Sequence, residues 1–341
     1  MGRRTRVRGS MVPEAEFSSY YGRPILKKPT WKNPDVPLYL WVGGMAGASS
    51  VVAALADATG RPVLRRGGRL VAAGGAAVGT VALVHDLGRP ARFLNMLRVF
   101  KPTSPLSVGS WILSPFAAAA SAAAASEITG IAPALGRLAG WGAAAFGPPL
   151  ASYTGVLFAD TAVPAWHEAH GELPVLFAAS GAAAGAGAQL VVTGLAGAAR
   201  RERMPVVRLA VAGAAAELAA GELLERRLER VPGGVVDAWR TGKAGRWNRL
   251  ARVLTAAGGI GALLAGLRGR PGRVAAVASG AALAAGSLAT RFAAFEAGLA
   301  SAADPGHVVA PQRARLAAEG PASADGSWLA GERATRPVPR S

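Results

Sequence analysis

Apolar residues in this chain gather into long runs separated by short, charged connections. About 20 consecutive apolar residues are needed to cross the hydrocarbon core of a bilayer as a helix. Eight runs approach that length: Pro37–Leu55, Leu70–Val84, Leu106–Ala125, Leu138–Val163, Leu173–Leu195, Pro205–Leu224, Leu250–Leu267 and Val274–Leu299. The pattern predicts an all-α integral membrane protein with about eight transmembrane helices. An even number of spans puts both termini on one side, called here the N-side. Roughly two-thirds of the Lys and Arg residues fall on that side, so the positive-inside rule makes it cytoplasmic.

Composition supports the membrane reading. The chain has 341 residues, of which 51% are hydrophobic and only 17% charged. A soluble domain carries about a quarter charged residues. Ala and Gly dominate the runs, and small residues let membrane helices approach closely. The net charge is +18. Its basic residues sit almost wholly between the runs and at the termini, where loops of a membrane protein lie. Nucleic-acid binding is therefore not expected. The absence of Cys excludes disulfides, thiolate metal sites and cysteine-ligated iron–sulfur clusters in this chain. The first 33 residues are polar, basic and Pro-containing, so no cleavable leader is expected. Residues 1–36 read as a basic tail, 37–166 as the first group of four helices and 167–300 as the second. Residues 301–341 read as a polar, disordered extension.

Ionisable groups inside spans are costly and need partners or a wet cavity. His85 and Asp86 end the second run, and Asp160 is late in the fourth. Glu217 and Glu222 are in the second half of the sixth, Arg291 and Glu296 in the last third of the eighth. All these spans run toward the N-side, so the groups share the half of the membrane nearest it. That suggests a polar pocket or proton-access path opening there. The plainer alternative is that groups at span ends reach the interface. Asp160 and Glu217 fit that alternative least, because apolar residues follow each. Glu217 and Glu222 point about 140° apart on a helix, and Glu222 can pair with Arg226, four residues on. His167 and His170 fall in a loop without the spacing of a zinc protease.

The loop 85–106 is the most informative segment. Gly88 and Pro90 break the helix after Asp86. Arg92, Phe93, Met96, Leu97 and Phe100 then suit a short amphipathic helix at the headgroup level. Such a segment can gate a lipid-soluble ligand or dock a partner.

The run Leu87-Gly88-Arg89-Pro90 through Ser104-Pro105-Leu106-Ser107-Val108-Gly109-Ser110-Trp111 resembles the signature of the NrfD-like, or polysulfide-reductase membrane-subunit, family. Tyr21-Gly22-Arg23-Pro24, Lys28-Pro29-Thr30-Trp31, Tyr39-Leu40-Trp41-Val42-Gly43-Gly44, Tyr153-Thr154-Gly155 and Val163-Pro164-Ala165-Trp166 agree with it. The resemblance implies eight helices in two four-helix bundles, with no haem and no iron–sulfur cluster in this chain. It implies electron exchange between a membrane quinone, such as menaquinone, and a ferredoxin-like iron–sulfur subunit, itself against a molybdopterin-type catalytic subunit. A bacterial plasma membrane is the expected location. Family members are often drawn with that partner outside the cell, whereas the charge count puts it in the cytoplasm.

Quinone reduction takes two electrons and two protons. Tyr153, His85 and Asp86 are candidates for quinone contacts and proton exchange. Arg89 and Arg92 are candidates to hold the loop or dock the partner, and Asp160 and Glu217 to move protons inward. The rival readings are a secondary transporter and a passive membrane anchor. Gly147-Pro148-Pro149, inside the fourth span, is the kind of break a transporter uses.

Overall fold

The structure, a computed structural model, describes residues 24–89, 91–267 and 272–319. Twelve helices appear among them and no strand. They are α1 (Asp35–Ala58), α2 (Pro62–Leu87), α3 (Ala91–Met96), α4 (Pro105–Thr129), α5 (Pro133–Ala159) and α6 (Pro164–His167). Then come α7 (Glu172–Leu195), α8 (Arg200–Glu229), α9 (Asp237–Arg240), α10 (Gly242–Leu267), α11 (Arg273–Ala303) and α12 (Pro305–Glu319). Seven of the eight long helices are long and apolar enough to cross a membrane. The eighth, α5, has the length, but Pro148, Pro149, Ser152 and Tyr153 make it less apolar. Proline opens α2, α4, α5 and α6, where its missing N–H costs nothing. Gly130 closes α4 in the left-handed conformation at φ 73°.

The eight long helices form two four-helix bundles. α1, α2, α4 and α5 pack around one another, as do α7, α8, α10 and α11. The bundles meet mainly along α1 and α7, with α5 also against α7. At that seam Gly44 faces Gly181, so a side chain on either would press on the other's backbone. Leu138, Leu195, Val253 and Ile260 stay exposed on the outside, as lipid-facing residues must.

Several boundaries differ from the sequence reading. α2 begins at Pro62, two turns before the apolar run, and carries Arg65 and Arg69 into the first bundle. α10 likewise starts at Gly242. α5 runs unbroken through Pro148 and Pro149, so the expected interruption is absent. The Ser50 hydroxyl bonds the Gly47 and Ala143 carbonyls at 2.7 and 3.2 Å, and Ser152 bonds the carbonyls of both prolines. These bonds brace α5 on either side of the proline pair; the carbonyls that the prolines leave without an N–H donor are those of Ala144 and Ala145. The proposed tail after Ala303 contains the helix α12, held by a 2.6 Å ion pair between Arg315 and Glu168. Residues 320–341 of that tail, and residues 1–23, lie outside the described residues.

The extension of α2 has a physical cause. At the end of the first bundle away from the N-side, each helix supplies a charge. Asp57 of α1, Arg65 and Arg69 of α2, Glu127 of α4 and Arg137 of α5 interlock. Arg69 lies 2.9 Å from Glu127 and 3.7 Å from Asp57, and all three side chains are buried. Paired in this way, the charges allow the helix to continue where isolated ones would end it. Arg69→Leu should therefore destabilise the detergent-solubilised protein by about 1–3 kcal/mol, because Asp57 and Glu127 each lose one buried partner while Arg65 and Arg137 remain. Adding Glu127→Leu should recover part of that loss. A double-mutant cycle on denaturant midpoints measures both, and additive single effects would show that the pair does not interact.

Candidate functional site

The N-side end of the fold is built around the segment leading into α1. Lys32 donates from its backbone N–H to Asp86 Oδ1 at 2.8 Å and from Nζ to the His85 carbonyl at 2.6 Å. His85 Nδ1 lies 2.6 Å from Asp35 Oδ2, and Asn33 donates to Glu296 Oε1 at 3.1 Å. His85 and Asp86 thus fasten residues 32–35 onto α2, while Glu296 fastens the same segment to α11. Beside it, Trp31, Phe158 and Trp166 stack with ring centroids 4.3–5.4 Å apart. The Trp166 indole donates to the Ala294 carbonyl at 2.6 Å, which joins the bundles at this end.

Directly beneath lies an apolar cavity of about 60 Å³ inside the first bundle. Tyr39 and Leu40 of α1, Gly79 and Leu83 of α2, Gly109 and Leu113 of α4, and Tyr153 and Thr154 of α5 line it. Met96, the last residue of α3, lines it as well. Ser110 of α4 donates to the Met96 carbonyl at 3.4 Å and so ties the end of α3 over the cavity. Tyr153 packs its ring onto Gly109, the position where a side chain would collide with it. Its buried hydroxyl has no side-chain hydrogen-bond partner. A buried, unpaired phenol costs free energy unless something in the cavity accepts its hydrogen bond. An apolar slot with two phenols and a carboxylate, Asp86, nearby is suited to a flat, carbonyl-bearing ring.

A second polar group occupies the second bundle. Glu217 of α8 is buried and accepts hydrogen bonds from Thr290 of α11 at 2.7 Å and Thr255 of α10 at 3.3 Å. A small cavity of about 30 Å³ runs from Glu217 past Thr255 to Asn248, Arg252 and Glu225 toward the N-side. Glu225 accepts from Asn248 at 2.8 Å, from Arg240 at 2.9 Å, and from Arg252. In the loop helix α9, Glu229 and then Glu225 push the Arg240 guanidinium further above its ordinary range.

The remaining sequence candidates separate. Asp160 caps the end of α5 and is exposed, since α5 stops at Ala159 before Pro164. Arg89 is exposed, and Arg92 donates to the Leu87 carbonyl at 3.2 Å, holding the turn after α2. Glu222 is half-exposed and pairs with Arg226 at 2.9 Å. His167, which ends α6, and His170, in the turn before α7, are both exposed. His85, Asp86 and Tyr153 are the candidates grouped at one bundle end; Glu217 is in the other bundle. Sequence reasoning missed Tyr39, Thr255 and Thr290 as site residues. The signal for Tyr39 was its place at the start of the first apolar run; the threonines gave none.

Comparison with known families agrees with this geometry. A family model described as Polysulphide reductase, NrfD matches residues 27–300, most of the chain. No curated protein matches it. With that match and eight long helices in two bundles, the chain belongs to the NrfD polysulphide reductase family, membrane subunits of oxidoreductase complexes that interact with quinones.

Proposed function

We propose that this chain is the quinone-reactive subunit of a respiratory complex, exchanging electrons between menaquinone or a similar quinone and an iron–sulfur partner. The observation that carries the reading is the apolar cavity with an unpaired Tyr153 hydroxyl, covered by the end of α3 on the N-side. A bound quinone supplies a ring that takes up two electrons and two protons. Tyr39 and Tyr153 hydrogen-bond its carbonyl oxygens and orient the ring. Gly43, Gly79 and Gly109 leave room for it. Met96 and Leu106 exclude water at the mouth, through which a lipid-borne ring enters from the headgroup region. Asp86, on the N-side rim, exchanges protons with the water there. Glu217 takes up and releases a proton in the second bundle. The exposed Arg89 and the basic residues Lys27 and Lys28 face an iron–sulfur subunit docked on the N-side. That subunit passes electrons to a molybdopterin-type catalytic subunit. By the distribution of Lys and Arg, the N-side of this bacterial plasma-membrane protein is cytoplasmic.

Tyr153→Phe tests the reading. It removes one hydrogen bond to the ring, worth about 1.5–3 kcal/mol if the oxygen carries charge, so quinol-linked turnover should fall about 10- to 100-fold. Reduction of the partner's iron–sulfur centre by an added menaquinol analogue is the readout. An unchanged rate in an intact complex would remove Tyr153 from the site. A chain that purifies with no iron–sulfur partner and no bound quinone would sink the respiratory assignment.

A further inference from the structure

Arg291 of α11 is fully buried at the seam between the bundles. Its Nη2 donates to the Phe177 carbonyl at 2.9 Å, and its guanidinium carbon lies 3.9 Å over the Phe177 ring. Its Nε and Nη1 are buried with no hydrogen-bond partner. A guanidinium in the membrane interior without a carboxylate against it is held at high cost, and such groups are retained for function. The carboxylate whose charge it feels is Glu217. Glu217 itself touches neutral hydroxyls: Thr290, the residue next to Arg291, as well as Thr255 and Ser180. On the other flank, the guanidinium lies against α1 at Gly44, where an added Cβ would stand 3.3 Å from Nη2. Gly43, the next residue, lines the apolar cavity. At Gly43 and Gly44, α1 therefore places no side chain of its own between the cavity and the guanidinium. Thr290 and Arg291 thus connect Glu217 in one bundle to the cavity in the other.

We propose that Arg291 is a positioning residue that couples the protonation of Glu217 to the charge of whatever occupies the cavity. The proposal rests on the quinone reading of that cavity. Arg291 serves two negative charges that it cannot fully neutralise together. When the occupant is neutral, the guanidinium stabilises the Glu217 carboxylate. When the occupant takes up electrons, its negative charge attracts the guanidinium across the backbone of Gly43 and Gly44. Glu217 then loses its counter-charge and binds one proton, forming one O–H bond. The proton comes from N-side water along the small cavity past Asn248 and Arg252. The charged groups around Glu217 are Arg291 of α11, Arg252 of α10 and Glu225 of its own helix; α7 presents the neutral Ser180.

The experiment is infrared difference spectroscopy on the purified complex in lipid nanodiscs, with a water-soluble naphthoquinone reduced at an electrode. The electrode supplies the electrons. Binding of the naphthoquinone is measured separately by quenching of tryptophan fluorescence. The wild type should gain a protonated-carboxyl band on reduction, and Glu217→Gln should lack it. Arg291→Gln should lose the band while naphthoquinone affinity stays within about threefold, because Arg291 does not line the cavity. A band that survives in Arg291→Gln, or a wild type that binds naphthoquinone yet shows no band, overturns the coupling and leaves the quinone reading intact. A wild type that does not bind naphthoquinone overturns both. Should Arg291→Gln fail to assemble, Arg291→Lys keeps the charge without the planar fork. It must then shift the pH at which the band is half-developed, and an unshifted midpoint overturns the proposal.

Discussion

Gly147→Val should yield no monodisperse protein in detergent. α5 and α1 cross at Gly147 and Gly47 with backbone against backbone. A Cβ at position 147 would run into the Gly47 carbonyl and stand 2.6 Å from Ser50 Oγ. The obstacle is main chain and cannot rotate away. Relief requires α1 and α5 to separate, which also breaks the bond from the Ser50 hydroxyl to the Ala143 carbonyl of α5. Overpacking at a yielding site costs about 1–3 kcal/mol; a rigid crossing with a lost hydrogen bond costs more. Gly74→Ala is the control. Gly74 has nothing within 4 Å of a built Cβ and faces outward from α2. That change should be neutral or stabilising by up to about 1 kcal/mol, as expected for glycine replaced in a helix. Fluorescence-detected size exclusion reads both. A sharp wild-type peak from Gly147→Val would show that the crossing has slack.

The same crossing shows why the sequence revealed the helices better than their ends. A lipid-facing helix is apolar on nearly every side, so runs of apolar residues reveal its existence directly. Its ends are decided by partners that the runs do not name. Arg65 and Arg69 looked like a loop, but Asp57, 12 residues before Arg69, and Glu127, 58 residues after it, neutralise them within a helix. Lys243 and Arg246 also lie inside a long helix, at the start of α10, but they stay exposed while Ala244 and Gly245 between them are buried. Asp160 looked internal because Val163 follows, yet Pro164 starts a new helix and α5 ends first. For the site, Glu217 was legible as a carboxylate amid alanines. Its partners were not, since Thr255 and Thr290 lie 38 and 73 residues away. Tyr153, His85 and Asp86 could be picked out one by one, but the contacts of residues 32–35 that group the last two belong to a segment without apolar patterning. No local pattern reports that Arg291 faces α1 or that Met96 closes a cavity.

Gly43→Leu should abolish quinone turnover while the chain remains folded and bound to its partner. Gly43 is on the cavity wall, and a Cβ there would meet only Thr154 Cγ2, at 3.8 Å, an ordinary contact. The backbone therefore accepts the substitution, and the rest of the leucine side chain enters the cavity. In a space of about 60 Å³ between Tyr39 and Tyr153, those carbons take the room of the ring. Forcing ring and side chain to share it should weaken binding about 100-fold, equivalent to ~2.7 kcal/mol and within the usual cost of overpacking. Leu113→Met, which conserves volume on the opposite wall, should change turnover little. If Gly43→Leu disturbs assembly, Leu113→Trp fills the same space from α4. Menaquinol-dependent reduction of the partner's iron–sulfur centre is measured beside size exclusion of the complex. This comparison separates a quinone site from a passive anchor. An anchor needs only the outer surface of the bundle, which none of these changes touches, and would keep full activity. Turnover within about twofold of the wild type in an intact Gly43→Leu complex, a difference of less than RT in binding, would therefore remove the cavity from the reaction.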